Sequence, residues 1–311
     1  DIYASYGTGY VDPSGSRDDE LYLNNGNSNH WIDFELEGTE SNRDAVGARV
    51  TLYGAWGVQM REVRAGESYG IVNSFNCHFG LGTYTEVDSA IVRWPSGTTD
   101  RYYNLAADQW VVVNEGWTTR AKMSLVAALA GPYVQGTGLM SDGLRSAALI
   151  PLTEPYADMG YTQEGGSFVR RIPQSVLDVS GDDAIVDWVW VELRDAVDPT
   201  DVLVARPALI QRDGDVTEPD GVTPLAMGLA DGSYKVVLRH RNHLGVMTAD
   251  GIALSGTISV VDLTQSGTTT YGTDARQSVN GTLVLWAGNV NGDDRVKYTG
   301  SGNDRDPILI S

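Results

Sequence analysis

The sequence has one cysteine, Cys77, in 311 residues. A lone thiol excludes an internal disulfide and any metal site built from several cysteines. No apolar run approaches the roughly 20 residues that a membrane-spanning helix needs. Asp1 opens a polar segment rather than the charged and apolar pattern of a signal peptide. The composition therefore predicts a chain without a membrane span.

Basic residues are also scarce. The 22 Lys and Arg face 41 Asp and Glu, which gives a formal charge of −19. Nucleic acid needs a basic surface, so this balance argues against a nucleic-acid partner, and anionic membrane surfaces are disfavoured for the same reason. The surplus of carboxylates suits solubility and the binding of divalent cations.

Glycine and tyrosine are plentiful, at 36 and 15 residues, and favour many short strands and turns. The length allows two domains, each with its own core. Residues 31–36 alternate apolar and polar side chains, the period of a half-buried strand. Further strands are predicted at 48–53, 60–63, 89–94 and 109–113. The turns between them are predicted at Gly54, Gly57, Gly66, Gly80 and Gly82.

Four motifs follow one another in this region. They read Ser41-Asn42-Arg43-Asp44-Ala45-Val46-Gly47-Ala48-Arg49-Val50, Arg61-Glu62-Val63, His78-Phe79-Gly80-Leu81-Gly82 and Val92-Arg93-Trp94-Pro95-Ser96-Gly97. Together they resemble the ASPIC/UnbV family of β-rich modules, which follow FG-GAP repeats in secreted bacterial and animal proteins. The resemblance implies an exported protein whose numbering begins after processing or on a fragment. It implies no reaction, because no catalytic activity is established for the family as a whole.

The first 26 residues contain two short strand-like runs around a Gly/Asp/Ser/Pro loop. The second run, from Glu20 to Gly26, resembles the closing part of an FG-GAP repeat. A two-stranded piece is barely stable alone, so these strands need a partner sheet. They either fold back on the following domain or add to a neighbouring copy.

Residues 119–284 predict a second, immunoglobulin-like sandwich. Its most convincing strand is 184–194, with Trp188 and Trp190 on one face and Ile185, Val189, Val191 and Leu193 on the other. Strands at 202–211, 233–240 and 257–263 follow; 123–129 is ambiguous between strand and helix, and 173–179 predicts a helical turn. This part resembles a C-terminal module of large secreted Bacteroidota proteins, whose biochemical activity is unknown.

The C-terminal segment contains a calcium-loop pattern. Side-chain oxygens at positions 1, 3 and 5 reproduce the start of an EF-hand or dockerin loop, and the seventh residue offers its backbone carbonyl. Asp294 replaces the usual glycine, and Gly300 replaces the bidentate acid at position 12. The alternative is an Asn/Asp-rich turn held by side-chain to backbone bonds. The predicted Ca²⁺ ligands are Asn289, Asn291, Asp293, Arg295, Asn303, Asp304 and Asp306.

Other reactive or aromatic side chains give weaker patterns. Cys77 and His78 are strand neighbours that point to opposite faces, so they do not predict a nucleophilic pair. His240 and His243 are either two zinc ligands without a third or part of an exposed polar strand end. The tryptophans are either core residues or a sugar-stacking platform, which would leave Trp188 or Trp190 exposed.

The sequence as a whole predicts an all-β protein of two consecutive β-sandwich or barrel domains, with an N-terminal strand arm and a C-terminal EF-hand/dockerin-like loop. The predicted divisions are 1–26, 27–118, 119–284 and 285–311. The predicted function is an extracellular, non-enzymatic structural or adhesive protein of a bacterial surface, stabilised by calcium. Its N-terminal strands would join copies head-to-tail into a filament. The alternative is a carbohydrate-binding accessory module that recognises surface glycans.

Overall fold

A computed structural model describes residues 2–4, 18–67, 72–166, 169–288 and 300–301. Within these ranges almost all regular structure is strand, which confirms the all-β prediction. Strands β1 (Ile2–Ala4) and β2 (Glu20–Tyr22) pair antiparallel as a separate two-stranded sheet, with Tyr3 opposite Leu21. We call residues 2–4 and 18–23 the N-terminal ribbon.

The first unit, residues 30–114, is built from two sheets. One has the order β6–β3–β9, in which β3 runs parallel to β9, and the other has the order β5–β4–β7–β8. Inward residues of both sheets, such as Phe34 and Leu52, share one core. The strands are β3 (His30–Glu37), β4 (Arg49–Gly54), β5 (Gly57–Glu62), β6 (Cys77–Gly82), β7 (Glu86–Arg93), β8 (Thr99–Ala106) and β9 (Gln109–Asn114).

The prediction of a turn at Gly80 is wrong, because this glycine lies within β6. Gly82 ends the strand with a φ of +61°, in a turn closed by the hydrogen bond from the Tyr84 N–H to the Leu81 carbonyl at 3.3 Å. Along this strand Cys77, Phe79 and Leu81 point into the core, while the glycines alternate with them on the outer face. Apolar residues at every second position fix a half-buried strand, and glycine is tolerated at the outward positions because these carry no packing.

The second unit, residues 117–288, begins with a 3-10 helix, Trp117–Thr119, and contains the helices α1 (Gly143–Ser146) and α2 (Gln174–Asp178). Its larger strands are β10 (Lys122–Val126), β13 (Ile185–Asp195), β14 (Val202–Gln211), β17 (Gly232–His240) and β18 (His243–Met247). The shorter ones are β11 (Tyr133–Val134), β12 (Leu139–Met140), β15 (Asp215–Thr217), β16 (Leu225–Ala226), β19 (Ile252–Leu254), β20 (Ser259–Asp262), β21 (Arg276–Val279) and β22 (Thr282–Leu285).

Nine strands of this unit form one sheet that closes on itself. Its path is β16–β10–β15–β14–β13–β17–β18, with β19 paired to β17 and β20 paired to β10. The N–H of Lys122, at the start of β10, donates to the carbonyl of Ser255, just after β19, at 2.8 Å. Strands from opposite ends of the path therefore meet, and their inward residues, including Leu125 and Leu238, share one core. Closure of this kind leaves fewer exposed strand edges.

Strand β13 is central to this sheet and is buried on both faces. Val189 and Val191 enter the core of the closed sheet, whereas Trp188 and Trp190 pack in a second cluster on the outer side. Ile185 joins the tryptophans, contrary to the prediction, because a bulge between Ile185 and Asp187 adds one residue and reverses the alternation.

The two units contact each other. Asn104 Nδ2 donates to the carbonyl of Asp220 at 3.0 Å, and Ser175 Oγ donates to Glu86 at 2.8 Å. Val169, from the second unit, packs against the core of the first. The predicted domain boundaries remain predictions.

Candidate functional site

Glu115 brings two of the motif segments together around one carboxylate. The side chain is 2% exposed and accepts hydrogen bonds from the backbone N–H groups of Thr39, Glu40 and Ser41, at 2.6–2.9 Å, and from the hydroxyls of Ser41 and Ser96. Burial would raise its pKa, but the hydrogen bonds from Ser41, Ser96 and Glu40 outweigh burial and lower the pKa to about 2. An anion so fully bound has a structural role and is a poor general acid.

Asp100 is a second buried carboxylate that binds residues from separate segments of this module. This fully buried carboxylate accepts hydrogen bonds from Trp94 Nε1 at 2.7 Å, from the Gly116 N–H at 2.8 Å, and from the N–H and hydroxyl of Thr118 at 2.8 and 2.9 Å. The motif residues Ser41, Trp94 and Ser96 therefore serve these two networks, and their conformation is fixed by the fold.

Cys77 and His78 are not placed to act together. The Cys77 thiol is buried, while the His78 ring lies on the outer face with 61% of its side chain exposed. Burial, helped by the charge of Asp33, raises the pKa of Cys77 to about 11, so the thiol stays protonated.

His240 and His243 are buried rather than exposed at a strand end, so that reading of the pair is wrong. They line a cavity of about 550 Å³ together with Asp187. The Asn242 N–H donates to His240 Nδ1 at 3.1 Å, which leaves the His240 proton on Nε2, facing Asp187 Oδ2 at 3.2 Å. His243 Nδ1 then donates to His240 Nδ1 at 2.9 Å, and His243 Nε2 accepts from the Gly131 N–H at 3.3 Å.

All four ring nitrogens of this histidine pair are therefore used within the protein. Burial and the neighbouring His240 lower the pKa of His243 to about 3, so its ring is neutral at physiological pH. Arg241 binds both oxygens of Asp187, at 2.8 and 3.0 Å. Across the part of the chain that the structure describes, no group of three or more His, Cys, Asp or Glu side chains is arranged to hold a metal ion. The pair supports the turn between β17 and β18.

Trp188 and Trp190 do not form an open shelf. They are at most 1% exposed, Trp188 Nε1 donates to the Pro151 carbonyl at 2.8 Å, and Tyr156 donates to the Trp188 carbonyl at 3.1 Å. The loop that contains Tyr156 and Tyr161 covers this face, so both tryptophans are core residues.

An exposed aromatic group lies elsewhere, on the outer face of the β6–β3–β9 sheet. Trp110 is 51% exposed and packs edge-on against Trp31, which stacks on His78 at 6.1 Å between ring centroids. His78 Nδ1 is 2.8 Å from Asp33 Oδ2, and Asp33 Oδ1 has no hydrogen-bond partner among the described residues. Next to Trp31 on this face lies Gly80, where an added Cβ would meet no atom within 4 Å. We call this the aromatic face; the sequence pattern alone did not separate Trp110 from the core tryptophans.

The N-terminal ribbon is the most exposed apolar element of the described chain. Its large apolar side chains are between 53 and 69% exposed, and they are Ile2, Tyr3, Leu21, Tyr22 and Leu23. Residues 18–29 are exposed throughout, so the ribbon does not fold back onto the first unit.

The predicted calcium ligands lie outside the described residues. They are Asn289, Asn291, Asp293, Arg295, Asn303, Asp304 and Asp306.

Residues 38–120 match the family described as ASPIC and UnbV, so the first unit consists largely of such a module. No curated protein matched the sequence. Among solved structures, a leucine-rich repeat protein from Bacteroides thetaiotaomicron VPI-5482 aligns with 76% of this chain and 26% of its own, at 8% identity and a TM-score of 0.26, which is too low to support a conclusion. No described helix is long and apolar enough to cross a membrane.

Proposed function

We propose that this protein is an extracellular structural or adhesive component of a bacterial surface that works by contact and catalyses no reaction. Its N-terminal ribbon binds a second copy, which links copies head-to-tail into a filament, and calcium stabilises the chain. The observation that carries the proposal is the exposed apolar ribbon. The predicted FG-GAP-like and Bacteroidota-like segments are consistent with this setting.

The ribbon exposes apolar side chains that binding to a partner would bury. An isolated two-stranded sheet is marginally stable in water, and here it leaves Ile2, Leu21 and Leu23 largely exposed. Within the described chain the strands of the ribbon, β1 and β2, pair with each other and with no strand of the two larger units. Apolar side chains and strand edges are bound in proteins by addition to another sheet or by packing on one.

A contact between the ribbon and a different surface of a second copy is heterologous. Each copy then offers one ribbon and one acceptor surface, so the contact repeats and produces an open chain unless its rotation closes a ring. Several buried carboxylates are also bound by donors of their own chain, as Glu115, Asp100 and Asp187 show, which supports a structural use of the acids.

A double substitution in the ribbon tests the assembly. We expect Ile2→Asp with Leu21→Asp to leave folded monomers in negative-stain micrographs and light scattering. As a control, Val197→Asp changes an apolar residue that is 93% exposed but lies outside the ribbon, and should assemble like the wild type. Filaments that persist in the ribbon variant, or a wild-type chain that stays monomeric at millimolar concentration with calcium, would contradict the proposal.

Glycan binding is a second candidate function, favoured by the aromatic face. An exposed tryptophan ring beside an open strand surface provides the flat apolar area on which sugar rings stack, and His78 supplies a polar group at its side. Affinity electrophoresis in gels containing laminarin, xylan or mannan tests this. Wild type and Tyr271→Ala, whose ring is 70% exposed elsewhere, should be retarded, and Trp110→Ala should not. Unretarded wild type in all three gels would count against it.

A further inference from the structure

The outer face of the β5–β4–β7–β8 sheet carries an arrangement that core packing does not explain. Its outward side chains form three cross-strand rows. The rows are Val58–Tyr53–Ser89–Tyr103, Met60–Thr51–Ile91–Arg101 and Glu62–Arg49–Arg93–Thr99. We call this surface the arginine face.

Arg49 and Arg93 stand directly opposite each other on neighbouring strands. Like charges in this position destabilise a sheet, so the pair is unfavourable for the fold by itself. Arg101 is diagonal to Arg93 on the next strand, and all three arginines are exposed. Glu62, at 2.9 Å from Arg49, is the one carboxylate in these rows. In a chain of charge −19 this is a local basic cluster.

The arginines border an apolar area. Val58 is 61% exposed, Met60 48% and Tyr103 43%, and the partly exposed Tyr53 and Ile91 lie between them. Apolar side chains flanked by charge of one sign are typical of surfaces that bind another protein. The partner that fits is apolar and acidic.

We propose that the arginine face receives the N-terminal ribbon of a second copy; this inference rests on the proposed function. The ribbon combines the apolar Ile2, Leu21 and Leu23 with the exposed acids Asp18, Asp19 and Glu20. Its side chains thus complement the arginine face in both polarity and charge.

The outer face of the β6–β3–β9 sheet is less suited to bind the ribbon. It presents Glu35 and Glu37 along β3, and these exposed carboxylates would repel the acids of the ribbon. Charge therefore distinguishes the outer faces of the two sheets.

A charge-exchange experiment tests the contact. The face variant carries Arg49→Glu and Arg93→Glu, and the ribbon variant carries Asp18→Lys and Glu20→Lys. Each variant alone should assemble at least tenfold more weakly by light scattering. An equimolar mixture should recover assembly, because each ribbon then meets a face of opposite charge. Arg43→Glu with Arg64→Glu makes the same charge change at exposed arginines outside the face, and should assemble like the wild type.

The outcomes separate this inference from the proposed function. If the face variant assembles like the wild type while Ile2→Asp with Leu21→Asp stays monomeric, the ribbon binds another surface and the inference is wrong. A mixture that fails to recover also overturns it. If the wild type itself does not assemble, the proposed function fails first. Circular dichroism and thermal unfolding of each variant establish that the monomers are folded.

Discussion

Glu115 shows how a single residue holds the ASPIC and UnbV module together. Replacing it with glutamine keeps the shape but removes the charge and turns one acceptor into a donor that faces backbone N–H groups. We expect Glu115→Gln to lower the free energy of unfolding by about 2–3 kcal/mol, because buried donors lose their acceptor. Urea denaturation measures this. Glu35→Gln, on the exposed side of β3, should change it by less than about 0.5 kcal/mol.

The same carboxylate gives a pH dependence. The pKa of Glu115 is about 2 in the folded chain against an ordinary 4.5. Its contribution to stability is complete above pH 4.5 and is lost as the pH falls toward 2. The wild type should therefore lose more stability between pH 5 and pH 2.5 than Glu115→Gln does. Equal losses would mean that the hydrogen bonds do not favour the ionised carboxylate.

His243 acts in a different pH window. Its pKa is about 3 when folded and 6.5 ordinarily, so between these values the unfolded chain binds a proton that the folded chain does not. The free energy of unfolding should fall by about 1.4 kcal/mol per unit below pH 6.5 from this group. The slope between pH 6.5 and 5 should be smaller in His243→Gln than in the wild type. An unchanged slope in His243→Gln would show that the ring charges in the folded state.

At the scale of elements, the sequence predicted what local alternation determines. The strand around Trp190 was predicted from its two-residue period, and the helical turn near Leu177 was found as α2. In the segment 123–129, where composition was ambiguous, the residues up to Val126 form β10, because β15 and β20 pair with it from both sides. The bulge at Val186 was not predictable, since it depends on the register with β14.

The site was harder to predict because it depends on contacts distant in sequence. Asp187 lies 53 residues from His240, and no spacing rule joins them. Trp188 and Trp110 have similar strand environments in sequence, yet a long loop covers only the first. The acids that bind the motif segments, Glu115 and Asp100, follow the motifs rather than belong to them, so the pattern gave no sign of their role.

The 3-10 helix at the start of the second unit depends on glycine at Gly228. A Cβ there would lie 2.1 Å from the Trp117 ring, and its φ of +66° also disfavours other residues. Gly281 has φ +90° but open space around it, so it isolates the backbone effect. We expect Gly281→Ala to cost about 1 kcal/mol and Gly228→Ala about 3 kcal/mol or more in thermal or urea unfolding. Similar costs would mean that Trp117 moves aside freely.

At the scale of the whole molecule, the net negative charge opposes contact between copies. A chain of charge −19 repels its own copies, and the basic cluster of the arginine face offsets this only locally. Monovalent salt screens the repulsion, but it also weakens a contact between arginine and carboxylate. A bound divalent cation would reduce the charge without screening that contact.

Calcium should therefore promote contact between copies. We expect millimolar Ca²⁺ to increase light scattering by the wild-type chain more than NaCl at the same ionic strength, and a chelator to reverse the increase. Asp293→Ala should lose the calcium response and its binding heat in calorimetry, because this residue supplies the fifth position of the predicted loop. Asp88→Ala, an exposed acid on β7, should keep both. Equal calcium-binding heats for wild type and Asp293→Ala would show that the predicted loop does not bind calcium. The contact between copies would then have to overcome the charge repulsion without a bound cation.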